Sequence, residues 1–260
     1  MLTDSFLRSP AETLLWRRFG ITHPSEIDLD AIAFDLGLTV RRRRLDGADA
    51  RLVAVGDRGV ITVSSASHPK RQRFSIGHEI AHWLQDRNGD GLLSCSSADV
   101  SARNQKAKSK EADANVFSAD LLLPPYLVVP IVGRRTPSVA LCLEIADTFA
   151  TSIPASAIRL VRLAGDPMAV VVHHAAGKEW WFENKSWPSE LQLAQQVHHD
   201  SPTMDLLYRG APGATTRPQR EPGARWLWGR DAYRMEVEVH SIKRDEGRVL
   251  TLLRLIPARG

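Results

Sequence analysis

Two histidines four positions apart, His78 and His82, bracket a glutamate in the stretch His78-Glu79-Ile80-Ala81-His82. In an α-helix this spacing puts both imidazoles on one face, one turn apart, where both can reach a single metal ion. The carboxylate of Glu79 lies beside that face. It is placed to take a proton from a metal-activated water without occupying a ligand position. These residue types in this order suit zinc-dependent hydrolysis of a peptide bond.

Five residues form a short motif, and the plain alternative is a surface helix with two solvated histidines. The neighbouring residues oppose that. Phe74, Ile80, Trp83 and Leu84 supply a broad apolar side, and Ile80 and Ala81 fill the motif with apolar groups. A catalytic zinc normally takes three protein ligands and keeps one open position, so a third donor is required. Glu111 supplies one in the downstream stretch from Ser109 to Pro124, which reads as a helix with Ser109 as N-cap and a double proline as stop. Asn115 falls one turn after Glu111 on the same face, where it can brace a ligand from behind. Asp113 and Asp120 are rival carboxylates that point to other faces. A plain reading of Glu111 remains open: an acid in a first helical turn, favoured by the helix dipole.

The two stretches Arg73-Phe74-Ser75-Ile76-Gly77-His78-Glu79-Ile80-Ala81-His82 and Glu111-Ala112-Asp113-Ala114-Asn115-Val116-Phe117-Ser118-Ala119, with Leu121-Leu122-Leu123-Pro124 behind the second, resemble the paired motif helices of the ImmA/IrrE metallopeptidases. Ser75 stands where that family has Thr, Gly77 and Ser118 where it has Ala, and Leu123 where it has Met. The resemblance implies that His78, His82 and Glu111 are metal ligands and Glu79 the general base. It also implies a cytoplasmic regulatory protease whose substrate is a helix-turn-helix transcriptional repressor, in a stress-response or similar control circuit.

The elements that must hold these residues follow from the pattern. Residues 11–19 read as a first helix, and Ile27 to Leu36 as a second that starts at Asp28 and closes at Gly37. Leu38-Thr39-Val40 reads as a strand, and residues 52–55 and 60–63 as a hairpin turning at 56–59. The expected fold is α+β: a zincin-like metallopeptidase domain over residues 1–130, with the motif helix and a small β-sheet. A helical, helix-turn-helix-like segment follows over 131–164, then a β-rich regulatory or substrate-recognition region over 165–260.

Composition sets outer limits. The chain has 260 residues, 43% hydrophobic, enough for two cores. No run approaches ~18 uninterrupted apolar residues, so no membrane span is expected. The first residues lack the basic start and apolar run of a signal peptide. Cys95 and Cys142 belong to no C-x-x-C pair and are expected as free thiols in a reducing cytosol. A net charge of +4 is too diffuse to argue for nucleic acid.

Several conspicuous stretches call for plain readings. Arg41 to Arg44 is the densest charge run, and an exposed edge strand is preferred over a nucleic-acid patch. Asp86-Arg87-Asn88-Gly89-Asp90-Gly91 imitates a calcium loop, but the twelfth position is Ser97 where a bidentate Glu is needed, so it reads as a turn. Ser138 to Phe149 and Ile153 to Leu163 read as two helices around Ala150-Thr151-Ser152. The second begins with apolar residues where a DNA-reading helix needs polar ones, and Arg159 and Arg162, which could touch phosphates, serve equally well near a helix C-terminus, so a packing or substrate-docking role is preferred over specific DNA binding. Beyond Gly165, residues 168–172, 180–182, 235–239 and 249–256 read as strands, and 209–225 as a mobile loop. Trp180, Trp181, Trp187, Trp226 and Trp228 are five of the seven tryptophans and are expected to pack a β-rich core. His173-His174 and His198-His199 make no convincing metal site, because adjacent strand residues face opposite sides.

The reading is therefore a metal-dependent endopeptidase: His2Glu ligation suits zinc best, and ligand type alone leaves Mn2+ or Fe2+ open. An oxyanion donor is expected, with Tyr126 and His68 as the candidates by residue type. The alternatives are a non-enzymatic transcription regulator that keeps the metal site, and a toxin–antitoxin or prophage component acting through a protein or DNA partner.

Overall fold

The computed structural model of the chain describes residues 9–86, 93–96 and 105–256. By its internal contacts the chain forms two compact units. One is Met1–Ile131 with Asp147–Ser152, and the other is Val132–Ala146 with Ile153–Gly260. Beyond Asp86, the calcium-like turn falls outside the described residues.

The first unit begins with α1 (Pro10–Thr13), capped by the Ser9 side chain and continued as a wider-wound turn over Leu14–Arg18. Helix α2 (Leu29–Asp35) starts where the sequence says it should. Asp28 Oδ1 accepts the amides of Asp30 at 3.0 Å and Ala31 at 3.1 Å. Gly37, at φ +87°, then turns the chain into β1 (Leu38–Arg43); a Cβ there would lie 2.5 Å from the Asp57 carbonyl oxygen.

Strands β2 (Ala50–Val55), β3 (Arg58–Ser64) and β4 (Leu93–Ser96) complete a sheet of order β1-β3-β2-β4. Strand β1 is parallel to β3, and the other pairs are antiparallel. Leu38, Leu52, Ile61 and Val63 on one face are buried, while Arg41, Arg43 and Arg51 face out. The arginine run thus lies on an edge strand, where charge discourages edge pairing. Arg42 faces the other way and forks onto Asp30 at 2.7 and 2.9 Å.

Helix α3 (Pro69–Asp86) carries the histidine motif and is buried all round from Ser75 to Trp83. That burial explains its apolar filling residues. Trp83 Nε1 donates to the Leu36 carbonyl at 3.0 Å and ties α3 to the end of α2. Helix α4 (Gln105–Leu122) packs along α3 and ends before the double proline. It starts upstream of Ser109, so Ser109 is an interior residue and not the N-cap expected from its type. Capping residues mark a start only where nothing upstream continues the helix. Helix α5 (Pro125–Val132) follows at once.

The second unit holds most of α6 (Val139–Thr148), then α7 (Ile153–Leu163), the pair expected around residue 150. Ala150 turns between them at φ +50°. Arg159 is buried at 4% exposure, whereas Arg162 is exposed with its guanidinium over the Phe182 ring at 5.3 Å.

Strands β5 (Met168–His174), β6 (Gly177–Glu183), β8 (Gln219–Pro222), β10 (Glu236–Asp245) and β11 (Arg248–Ile256) form one antiparallel sheet of order β6-β5-β11-β10-β8. A ribbon of β7 (Gln192–Leu193) with β9 (Leu227–Trp228), and α8 (Pro202–Arg209), complete the unit. The expected mobile loop over 209–225 is a correction. It contains β8, paired with β10 from Pro222 to Gln219, and Thr215 bridges to Ile242. Pro and Gly hid an edge strand, the one place a sheet tolerates Pro. The tryptophans divide: Trp187 and Trp226 are in the core, whereas Trp181 and Trp228 are exposed. Cys142 is free and buried, its thiol pushed up to about 12 by burial. Among the described residues no single helix is long and apolar enough to cross a membrane.

Candidate metal centre

Helices α3 and α4 bring His78, His82 and Glu111 to one point. His78 Nε2 and His82 Nε2 lie 3.0 Å apart, with Glu111 Oε2 at 3.2 Å from the first and Oε1 at 3.2 Å from the second. The histidines are buried and the carboxylate is partly exposed, so the cluster opens to one side. Asn115, one turn on from Glu111, places Oδ1 at 3.1 Å from His78 Nδ1. An amide oxygen accepts, so His78 Nδ1 carries the hydrogen and Nε2 turns a lone pair inward.

That tautomer makes the cluster a test of what belongs in it. A lone pair on His78 Nε2 and a carboxylate face each other at hydrogen-bond distance and need a cation between them. Around a tetrahedral ion with bonds of ~2.05 Å, donor atoms sit about 3.3 Å apart. The triangle of 3.0 and 3.2 Å fits that spacing. Two imidazoles and one carboxylate are the donor set of a hydrolytic zinc site. His78, His82 and Glu111 therefore fit a divalent metal, with solvent left as the fourth side.

Glu79 is 2% exposed and its Oε2 has no hydrogen-bond partner. Burial, with the Glu111 charge adding to it, pushes its carboxyl up to about 8. His78 moves the other way: burial and the neighbouring His82 lower its pKa, against the opposing pull of Glu111 and Asn115. A neutral imidazole is the form that binds a metal.

The rival carboxylates are elsewhere. Asp113 is exposed, and Asp120 is buried apart from the cluster. Of the oxyanion candidates, Tyr126 has its hydroxyl committed to another bond, and His68 uses one ring nitrogen as an acceptor in its own turn. Tyr126 donates its hydroxyl to the Ile21 carbonyl at 2.9 Å, and His68 Nδ1 accepts the Lys70 amide at 3.2 Å. A second group of donors, His198, His199 and Asp200, lies within 4.8 Å. Its rings stack at the surface, and Asp200 is shared with Arg225 at 3.6 Å, a cation that competes for the carboxylate. What sequence reasoning missed is a contact between α3 and α4. Ser118 is fully buried and donates its hydroxyl to the Phe74 carbonyl at 2.8 Å. Only its departure from the family pattern marked it.

Residues 33–160 match the family model of peptidase M78, the IrrE N-terminal-like domain, and this span contains every residue of the cluster. Over this span the chain carries a domain of the ImmA/IrrE family. The chain is similar to the radiation response metalloprotease IrrE of Deinococcus radiodurans, with 25% identity over 188 residues, 68% of this chain. The match spans 56% of that relative's length. Among solved structures, a Mycobacterium tuberculosis transcriptional regulator superposes with a TM-score of 0.60 at 13% identity, covering 92% of this chain and 72% of that one. At that identity the likeness is one of fold.

Proposed function

We propose that this chain, with its ImmA/IrrE family domain, is a metal-dependent endopeptidase, with zinc as the metal, that acts in the cytoplasm on a helix-turn-helix transcriptional repressor. The observation that carries the reading is the convergence of two imidazole nitrogens and a carboxylate within 3.0 to 3.2 Å, beside a buried, unpartnered glutamate. The family match and the metalloprotease relative support peptide hydrolysis. The repressor substrate rests on the motif resemblance, and the regulator among the structural neighbours is compatible with it.

When bound, the metal supplies Lewis-acid polarisation of the scissile carbonyl and a lowered pKa for water. His78 and His82 hold it as neutral donors, with the tautomer of His78 fixed by Asn115. Glu111 adds the negative charge that favours a divalent ion. Glu79, buried beside the ligand pair, takes the proton of the attacking water and returns it to the leaving nitrogen. The partly exposed side of the cluster is where an extended substrate segment enters.

The test is Glu79→Gln, which keeps shape and removes the base. Cleavage of a repressor encoded beside this chain should fall at least about a hundredfold. Bound metal and the circular dichroism spectrum should be unchanged. Near-normal cleavage by Glu79→Gln sinks the assignment of the base, and cleavage unaffected by a chelator sinks the metal mechanism.

A further inference from the structure

Helices α3 and α4 come close together at a glycine. A Cβ built on Gly77 would lie 2.7 Å from Ser118 Oγ and 3.4 Å from Ser118 Cβ, with Leu121 Cδ2 at 3.5 Å behind them. Real side chains do not approach that closely, so the absence of a side chain at 77 and the hydroxyl at 118 occupy one space between them. Ser118 cannot turn aside freely. It is 0% exposed, and its hydroxyl donates to the Phe74 carbonyl at 2.8 Å. A serine rotated away would leave a buried hydroxyl and a carbonyl lone pair without that bond.

The position of this contact matters more than its strength. In an α-helix the Phe74 carbonyl also receives the amide of the residue four further on, which is His78. Ser118 therefore bonds to the turn of α3 that carries the first histidine. On α4, Ser118 lies about two turns beyond Glu111 on the same side, with Asn115 between them. One short hydroxyl thus joins the ligand turn of one helix to the ligand face of the other. Glu111 has a short side chain, and it reaches both imidazole nitrogens at 3.2 Å only if the two helices keep this separation.

We propose that Gly77 and Ser118 are positioning residues for the metal centre. Their contact sets the spacing of α3 and α4, and through it the reach of Glu111 to His78 and His82. The proposal rests on the reading of that cluster as a metal site. Its signature is coupling: the two positions act as one unit, and the quantity they control is metal affinity as well as stability.

The experiment uses the full chain, titrated with Zn2+ against a chromophoric chelator, with the apo-state thermal midpoint recorded for every variant. Gly77→Ala should weaken zinc binding about tenfold or more, because the added methyl forces the helices apart. Ser118→Ala should weaken it by a smaller factor, through loss of the bond to Phe74. The double variant, in which a methyl takes the space the hydroxyl leaves, should bind within about threefold of wild type. Leu52→Ala, in the sheet core and not at the helix contact, should lower the midpoint while leaving zinc affinity unchanged. Should Gly77→Ala fail to fold, Ser118→Ala against Leu52→Ala decides the matter. Affinities equal to wild type, affinities that fall only in step with the midpoint as in Leu52→Ala, or single-variant losses that multiply in the double variant would each overturn the proposal. A wild-type chain that binds no zinc overturns the metal centre itself, and this proposal with it. Zinc binding by wild type with unaltered variants overturns only the proposal.

Discussion

At the scale of single residues, the pair of histidines needs only helical periodicity to be read. Four residues make nearly one turn, so His78 and His82 share a face whatever surrounds them. The third donor needed more: a stop at Pro124-Pro125 to define a second helix, and a face to prefer Glu111 over Asp113. The structure separates the two, with Glu111 in the cluster and Asp113 in solvent. If the three donors hold one ion, metal analysis of Glu111→Ala should show most of the metal lost, and Asp113→Ala should retain about one equivalent. Equal retention in both would remove Glu111 from the ligand set. What sequence could not give is the basicity of Glu79. Its raised pKa comes from burial and from the charge of Glu111 across the helix pair, neither of which is a property of the five-residue motif.

At the scale of elements, chemistry at the ends was legible and packing between elements was not. Asp28 announced the start of α2 because a carboxylate oxygen can accept the free amides of a first helical turn. It accepts two, from Asp30 and Ala31. Asp28→Ala should therefore lower stability by about 1 kcal/mol, while Asp28→Asn, which keeps an acceptor oxygen, should lose much less. Denaturant unfolding of the two variants checks this; equal losses would mean that the charge of Asp28, near the buried guanidinium of Arg73, matters more than its cap. Ser109 shows the limit of the same logic, since it has the chemistry of a cap and sits inside α4. Gly77 and Ser118 read as unrelated departures from a family pattern, and only the crossing of α3 and α4 makes them one contact. Strand β8 was hidden for a related reason. Its Pro222 and polar neighbours look like loop, but Glu221 is buried and accepts from Ser201, Gln219 and Trp226, so a satisfied carboxylate stands where the pattern demands an apolar residue.

At the scale of the whole molecule, the second unit contains a buried histidine, His173, and a half-buried one, His240, that the proposed chemistry does not use, and their lowered pKa values predict a stability that depends on pH. His173 donates from Nε2 to the Ala194 carbonyl at 3.2 Å, and its Nδ1 has no partner. His240 Nδ1 accepts the Val139 amide at 3.2 Å, at the first turn of α6, and can do so only while unprotonated. Burial lowers both pKa values from 6.5; Lys178 and His174 push His173 further down, while Glu238 pulls His240 back up. A lowered folded-state value means that on acidification the unfolded chain takes up protons first. The contribution is complete above the unfolded value and is lost as pH falls through it toward the folded values. Unfolding followed by tryptophan fluorescence, which five residues of this unit dominate, should show a midpoint that drops between about pH 7.5 and 5.5. His240→Gln offers an uncharged acceptor to the same amide and should flatten part of that slope. A midpoint constant over this range, or a slope unchanged in His240→Gln, would mean that the α6 contact does not require the neutral imidazole.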